Sequence, residues 1–342
     1  MKRAPAGLFL RVARYFVPIV VLGAVVIFLG SQKNFGPLQY AQLSLDGLRG
    51  GAIYALIAMG FVMVFNVTGV INFAQGAFVM LGGMLAMTFY QWEIALPAWL
   101  HLLGSILLAV VVTTLIGMLV ERLTIYPARS SSTLTLIIIT VGVYITLQGL
   151  GLLVWGADAY IFPAFTTLEM SDKTIRWAGL MIKAQSFWIW GATILVLVVL
   201  AYFFERTLLG KAMRACSVNR HGARLVGISP GWMSLVAFGM AAAVGAVGGI
   251  VVAPILRPSY DMGLSLGLKG FVAAILGGLI STPGAVLGGL LLGFLENVAA
   301  GVTKAGMKDI YAFILLILTL LLRPQGLLGV SKTAVESSGE EH

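Results

Sequence analysis

From Gly50 to Trp92 no charged side chain interrupts the chain, yet in the middle lies the polar, glycine-broken stretch Asn66-Val-Thr-Gly-Val-Ile-Asn-Phe-Ala-Gln-Gly76. A helix needs about 20 apolar residues to cross hydrocarbon. The run is therefore long enough for two crossings, and the break between them is tolerated only where protein or a water-filled cavity shields the backbone. Asn72 and Gln75 are the first candidates for function. The same alternation of apolar runs with charges and turn residues continues, predicting spans near 15–30, 46–66, 76–92, 97–120, 132–154, 186–204, 232–254, 268–280, 284–299 and 309–322. Segment 268–280 reaches only about 20 Å at 1.5 Å per residue, against a core of about 30 Å. Half-helices or re-entrant pieces are expected there, meeting at the turn Ser281-Thr282-Pro283-Gly284. Small residues on both arms, Gly277-Gly278 and Gly288-Gly289, suit close helix approach in lipid. The stretch from Gly69 to Gly83 has a faint echo from Gly278 to Gly289, as in the paired interruptions of some transporters.

Composition turns this pattern into a class. Hydrophobic residues make up 59% of the 342 and charged ones only 10%, whereas a soluble domain carries about 25% charged residues. The expected fold is all-α: a polytopic integral membrane protein with about 8–10 transmembrane or half-membrane helices, some broken or re-entrant, in one domain over 1–342. Cys216 is the single cysteine, so an internal disulfide and spaced Cys/His metal chemistry are excluded. The net charge of +9 is not clustered as a nucleic-acid footprint requires; it reads as a topology signal instead. Lys2, Arg3, Arg11 and Arg14 precede the apolar stretch Tyr15–Gly30. That stretch is long for a signal peptide and no clear A-x-A site follows, so an uncleaved signal-anchor helix is expected. With the N-terminus inside, segments 1–14, 121–129, 205–224 and 323–342 face the cytoplasm, and they hold most of the Lys and Arg residues but a minority of the acidic ones. The positive-inside rule then places both termini in the cytoplasm.

Polar residues within apolar spans are the candidate chemistry. Glu296 lies about 18 Å up a helix from Gly284, where a carboxylate is expensive unless paired, protonated or facing a cavity. Lys269 is a partner within hairpin reach, as a structural ion pair or as part of a pathway. Asn72 and Gln75 either bind a polar solute or satisfy backbone groups freed at the break. Tyr54, Asn66 and Gln148 are weaker pathway candidates, since lone polar side chains often bond a neighbouring helix. Trp155, Trp177, Trp188 and Trp190 read as interfacial anchors. Segment 208–230 reads as a short helix, a turn and a second short helix, with Asn219 capping the second, Gly227 ending it and Pro230 opening the next span. It suits docking into another protein's cleft, or attraction of a basic loop to anionic membrane lipid. A phosphate loop, H-E-x-x-H and a Ser/His/Asp set are all absent, so neither a catalytic nor a metal site is expected.

Four stretches resemble the inner-membrane permease subunits of branched-chain amino acid ABC importers: Gly51–Gly60 running into Gly69–Gly76, Glu121-Arg122 with Pro127-Ala-Arg129, Arg214-Ala215 through Ala223–Ile228, and Gly267–Gly278 through Gly289. Arg323-Pro-Gln-Gly-Leu-Leu-Gly329 completes the likeness, which spans a core from 42 to 330; helix 15–30 is an addition to it, and 331–342 a flexible cytoplasmic tail. The resemblance implies a bacterial inner-membrane channel of two homologous permeases with two cytoplasmic ATPases and an extracytoplasmic solute-binding protein. ATP and Mg would be used by the ATPases, this chain binding no cofactor. Segment 208–230 then looks like the ATPase-coupling loop, with Arg214, Ala215, Asn219, Ala223 and Gly227 at or near the docking surface. The chain departs from the family pattern at Ala77, where many relatives carry an acidic residue, and at Gly270, where Ala is usual. The alternatives are a urea or other small-solute permease of the same superfamily and, from another class, an ion-gradient-driven secondary transporter, motivated by Glu296 and Lys269.

Overall fold

The computed structural model describes residues 35–92, 97–166, 174–177, 179–323 and 325–328. The expected first span, 15–30, and the tail 331–342 lie outside the described residues. The helices are α1 (Pro37–Thr68), α2 (Gln75–Tyr90), α3 (Ala98–Val120) continued by a π turn (Glu121–Ile125), α4 (Thr133–Trp155), α5 (Ala184–Arg206), α6 (Leu208–Val218), α7 (Arg220–Leu225), α8 (Pro230–Leu256), α9 (Met262–Gly277), α10 (Thr282–Val302) and α11 (Lys308–Leu322). Between α4 and α5, β1 (Thr174–Trp177) pairs antiparallel with β2 (Leu180–Lys183). Among the described residues six helices are long and apolar enough to cross a membrane: α1, α3 with its turn, α4, α5, α8 and α10; α2 and α9 are apolar but shorter. The chain is an all-α, multi-pass membrane protein.

Boundaries differ from expectation where hydropathy and helix chemistry part. α1 begins at Pro37 rather than residue 46, because Pro sits at its first turn and Gln39 reaches back to the Gly36 amide, although the turns that follow are polar. α9 begins at Met262 rather than 268 and ends at Gly277, where Gly278 turns the chain with φ 100. Leu327 and Leu328 donate backbone hydrogen bonds to Leu276 and Gly277 carbonyls, tying the end of the described chain to this corner.

The interior is made of α1, α2, α8, α9 and α10. Buried residues fill 83% of the apolar window of α1 but only 17% of those of α4 and α5, which present leucine, isoleucine and valine outward as the chain's lipid-facing side. Small residues let the inner helices meet backbone to backbone, the contact that drives association where lipid removes the hydrophobic incentive. Gly47, Gly51 and Ala55 of α1 face Gly293 and Gly289 of α10 in antiparallel order, and Gly83 of α2 faces Gly249 of α8 in parallel order. The α10 side of this seam is foreshadowed by Gly288-Gly289, but its pairing with α1 is not legible from the chain alone.

One end of the bundle gathers the C-termini of α1, α5 and α9 with α6, α7 and the starts of α8 and α10: Asn66 donates to the Ile280 carbonyl, Arg220 to Val67 and Arg214 to Phe204. The other end is aromatic. Trp155 donates to Thr88, Tyr90 stacks on His101, and Phe165 meets Trp188 edge-on. There the β-hairpin docks on α1 through a two-way bond between the Gln42 amide and Met181.

Candidate functional site

The polar break expected after Asn66 lies between α1 and α2. Gly69, at φ 70, ends α1 and donates to Phe65, and the chain then turns through Asn72, whose side-chain oxygen accepts from the Ala74 amide. Gln75, the first residue of α2, donates through Nε2 to the Ala241 carbonyl of α8 at 3.0 Å. Ala241 lies eleven residues into α8, about 17 Å from its start, so α2 begins near mid-membrane rather than at a surface. α9 starts beside it, with Gly263 against Gly76. Two short helices thus begin inside the bundle; the expected pair of half-helices meeting at Ser281–Gly284 is instead the short α9 joined to α10, which is long enough to cross.

Asn72 and Gln75 are fully buried, yet Asn72 Nδ2 and Gln75 Oε1 have no hydrogen-bond partner. One free donor and one free acceptor are therefore held at mid-depth, each costing about 1–3 kcal/mol if left unsatisfied. Asn72 does the bland work foreseen, bonding the Ala74 amide at the break, whereas Gln75 joins α2 to α8 and packs against Gly60 of α1. Asn66 is spent on the Ile280 carbonyl and lines a cavity of about 430 Å³ with Arg214, Ser217 and Pro283 at the α6 end of the bundle. Gln148 is half-buried on α4, apart from these groups.

Lys269 and Glu296 meet as their spacing suggested, Nζ to Oε1 at 2.8 Å, with Glu296 wholly buried. Tyr54 covers the pair, its ring centroid 5.6 Å from Nζ. The same ammonium also bonds Asp309 of α11 at 2.8 Å. Sequence reasoning missed Asp309 because it sits in the first turn of the next helix, a position that ordinarily signals only a helix start.

Segment 208–230 folds as the chain predicts. Asn219 accepts from the Gly222 amide at 2.9 Å and so caps α7, Gly227 has φ 83, and Pro230 opens α8. Arg214, Asn219 and Gly227 are exposed and Ala215 is half-buried. Ala223 instead faces inward, packed with Val67, Met213 and Met233. Cys216 is buried in the same cluster, and that burial pushes its thiol above the usual range, against the pull of Arg220 and Arg224. Val218 and Leu225 are 84% and 89% exposed. These outward apolar side chains were missed, although two hydrophobes flanking a cap in a basic segment were a usable signal. At Gly270, one of the departures from the family pattern, a Cβ would lie 2.7 Å from Ile57 Cβ, so α9 and α1 are closer here than alanine allows.

Comparison with known proteins gives the family. Residues 43–320 match the family described as the branched-chain amino acid transport system permease component. The chain is 35% identical over 300 residues to the high-affinity branched-chain amino acid transport system permease protein BraD of Pseudomonas aeruginosa, covering 85% of this chain and 96% of that one. It is 32% identical over 299 residues to the corresponding protein LivH of Escherichia coli, with the same coverage of 85% and 96%. A solved structure, PsaBC from Streptococcus pneumoniae in complex with Fab, aligns at a TM-score of 0.40 and 13% identity over 92% of this chain and 99% of that one, too loosely for any feature to be carried across. The chain belongs to the family of permease components of branched-chain amino acid transport systems.

Proposed function

We propose that the chain is a permease subunit of an ATP-driven ABC importer for branched-chain or related amino acids, in a bacterial inner membrane. A second homologous permease completes the pathway, two cytoplasmic ATPases drive it with ATP and Mg, and an extracytoplasmic binding protein delivers the solute. The observation that carries this reading is the helix pair α6–α7, which stands at one end of the bundle and turns Val218, Leu225 and Arg214 outward while Ala223 fastens it to α1 and α8. A projecting pair with an apolar outer face and a basic edge needs a protein partner to cover it. That end also carries Arg206, Lys211, Arg220 and Arg224, which favours a cytoplasmic location for it and for both termini. The substrate class comes from the relatives named above.

In proteoliposomes holding the assembled importer, Arg214→Glu and Ala223→Trp are expected to abolish ATP-dependent uptake while the chain still inserts. Ala223→Trp acts by prising α7 from Met213 and Met233. Normal uptake and normal ATPase co-purification in both variants would remove the docking assignment. Concentrative uptake by the chain alone under a proton or sodium gradient would favour the secondary transporter instead.

The unpartnered atoms Asn72 Nδ2 and Gln75 Oε1 support a pathway through this mid-membrane region, where a solute's polar groups would exchange water for weak, transient bonds. Gln75→Leu is expected to lower uptake about tenfold, the loss of one hydrogen bond to the solute of about 1.4 kcal/mol, with little change in thermal unfolding. The bond lost to Ala241 is offset by removal of the unsatisfied Oε1 acceptor. A parallel fall in melting temperature and uptake would reduce Gln75 to a structural bridge.

A further inference from the structure

A second polar feature lies at the α6–α7 end but away from that helix pair's outer face. The end of α3, the start of α4, α7 and the start of α8 enclose a cavity of about 370 Å³ whose wall includes Glu121, Tyr126, Arg129, Arg220, Arg224 and Ser234. An adjoining opening of about 360 Å³ shares Arg129 and Arg224 and reaches Ser229-Pro230-Gly231 at the α8 N-terminus. Three guanidinium groups, Arg129 from the turn before α4 and Arg220 and Arg224 from α7, therefore line one space. None of them pairs with a carboxylate among the described residues. The one acidic group in the wall, Glu121, is buried and forms no ion pair with the three arginines.

The arginines are also oriented. Arg129 lies over the Tyr126 ring at 4.5 Å, with Arg122 over the same ring at 4.3 Å, so the ring helps to position its charge. Arg220 spends Nε on the Val67 carbonyl at 3.1 Å and keeps its terminal nitrogens. The α8 N-terminus adds partial positive charge to the same place.

The position of the cavity says which anion fits. The helices whose ends wall the cavity, α3 and α4, bury only 22% and 17% of their apolar windows, and near it they carry Leu119, Leu123, Leu134 and Ile138 exposed on their outer sides. A lipid whose acidic part lies among the arginines can run its hydrocarbon along this outer surface of α3 and α4. We propose that this cavity binds the phosphate of an anionic phospholipid, Arg129 and Arg224 donating to its oxygens with Arg220 behind them and the acyl chains lying on α3 and α4. Basic pockets between helices at the membrane edge recognise headgroups by this combination of charge and adjacent apolar surface. The inference rests on the arginine-lined cavity and the membrane-facing helices beside it, and holds whether or not the importer reading does.

The test uses the full chain, purified and exchanged into mixed vesicles of phosphatidylcholine and phosphatidylglycerol, with native mass spectrometry of the retained lipid. Wild type is expected to keep phosphatidylglycerol over phosphatidylcholine by about fivefold or more, a preference that falls to none in Arg129→Gln with Arg224→Gln. The Arg129→Lys, Arg224→Lys variant, which keeps the charge and guards against a folding artefact, should retain part of it. Undiminished retention in the glutamine variant, or equal loss in the lysine and glutamine variants, overturns the proposal. Displacement of the lipid by millimolar inorganic phosphate, or thermal stabilisation by phosphate equal to that by the lipid, assigns the cavity to a soluble anion and overturns the lipid source. Lost binding of partner ATPases in the glutamine variant, with lipid retention unchanged, assigns it to an acidic protein surface.

Discussion

Replacing Lys269 with methionine is expected to cost about 3–5 kcal/mol of stability, the penalty for stranding one member of a buried ion pair. Glu296 is wholly buried, only one of its oxygens is bonded, and that bond comes from Lys269. With the ammonium gone, the carboxylate must ionise without a partner or take up a proton, and both are costly at this depth. The double variant Lys269→Met, Glu296→Gln removes both charges and should recover most of the loss, because replacing a whole pair is far cheaper than breaking one. Asp309→Asn should change little. Asp309 bonds the same ammonium at 2.8 Å, but its side chain is 65% exposed, where a pair contributes about 0–1 kcal/mol. Thermal unfolding of the detergent-purified variants checks the series. Equal melting of Lys269→Met and wild type would mean that Glu296 carries no charge in the folded chain. An unrecovered double variant would place the role of Lys269 in its packing against Tyr54.

The Lys269–Glu296 pair was legible in the chain because one hairpin joins the two residues, and the rise per residue on each arm fixes their depth. The caps of α6 and α7 were legible for a similar reason: Asn219, Gly227 and Pro230 act within a few residues of themselves. What escaped depends on helices far apart in sequence. Asp309 joins the ion pair only because α11 packs across α9 and α10, and the arginine cavity needs α3, α7 and α8 to converge. The polar break after Asn66 announced a mid-membrane feature, but nothing local said that Gln75 would be held by Ala241 of α8. Hydropathy placed the spans and misjudged their ends, since the first turns of α1 are polar and yet helical.

Gly51→Val is expected to prevent stable folding, and Gly51→Ala to lower stability by about 1–3 kcal/mol or more, the usual cost of overpacking. The seam between α1 and α10 leaves no room for a side chain. A Cβ on Gly51 would lie 2.7 Å from both the Gly289 carbonyl oxygen and Leu290 Cα, and one on Gly47 would lie 2.8 Å from Phe294 Cα. Those atoms are backbone, so no rotamer change relieves the clash and the helices must separate by roughly 1 Å to restore ordinary contact. Such a shift also moves Glu296, one turn beyond Gly293 on α10, relative to Tyr54, one turn beyond Gly51 on α1, and so loosens the cover over the ion pair. Gly104→Ala on α3 is the matched control: a Cβ there meets nothing within 4 Å, and the gain in helix propensity should leave it neutral or about 0.5–1 kcal/mol more stable. Yield of monodisperse protein and its melting temperature read the comparison. If Gly51→Ala and Gly104→Ala melt alike, the α1–α10 seam is looser than its geometry shows. If Gly51→Ala alone falls and uptake falls with it, backbone contact in this seam is what holds the charged cluster at its working depth.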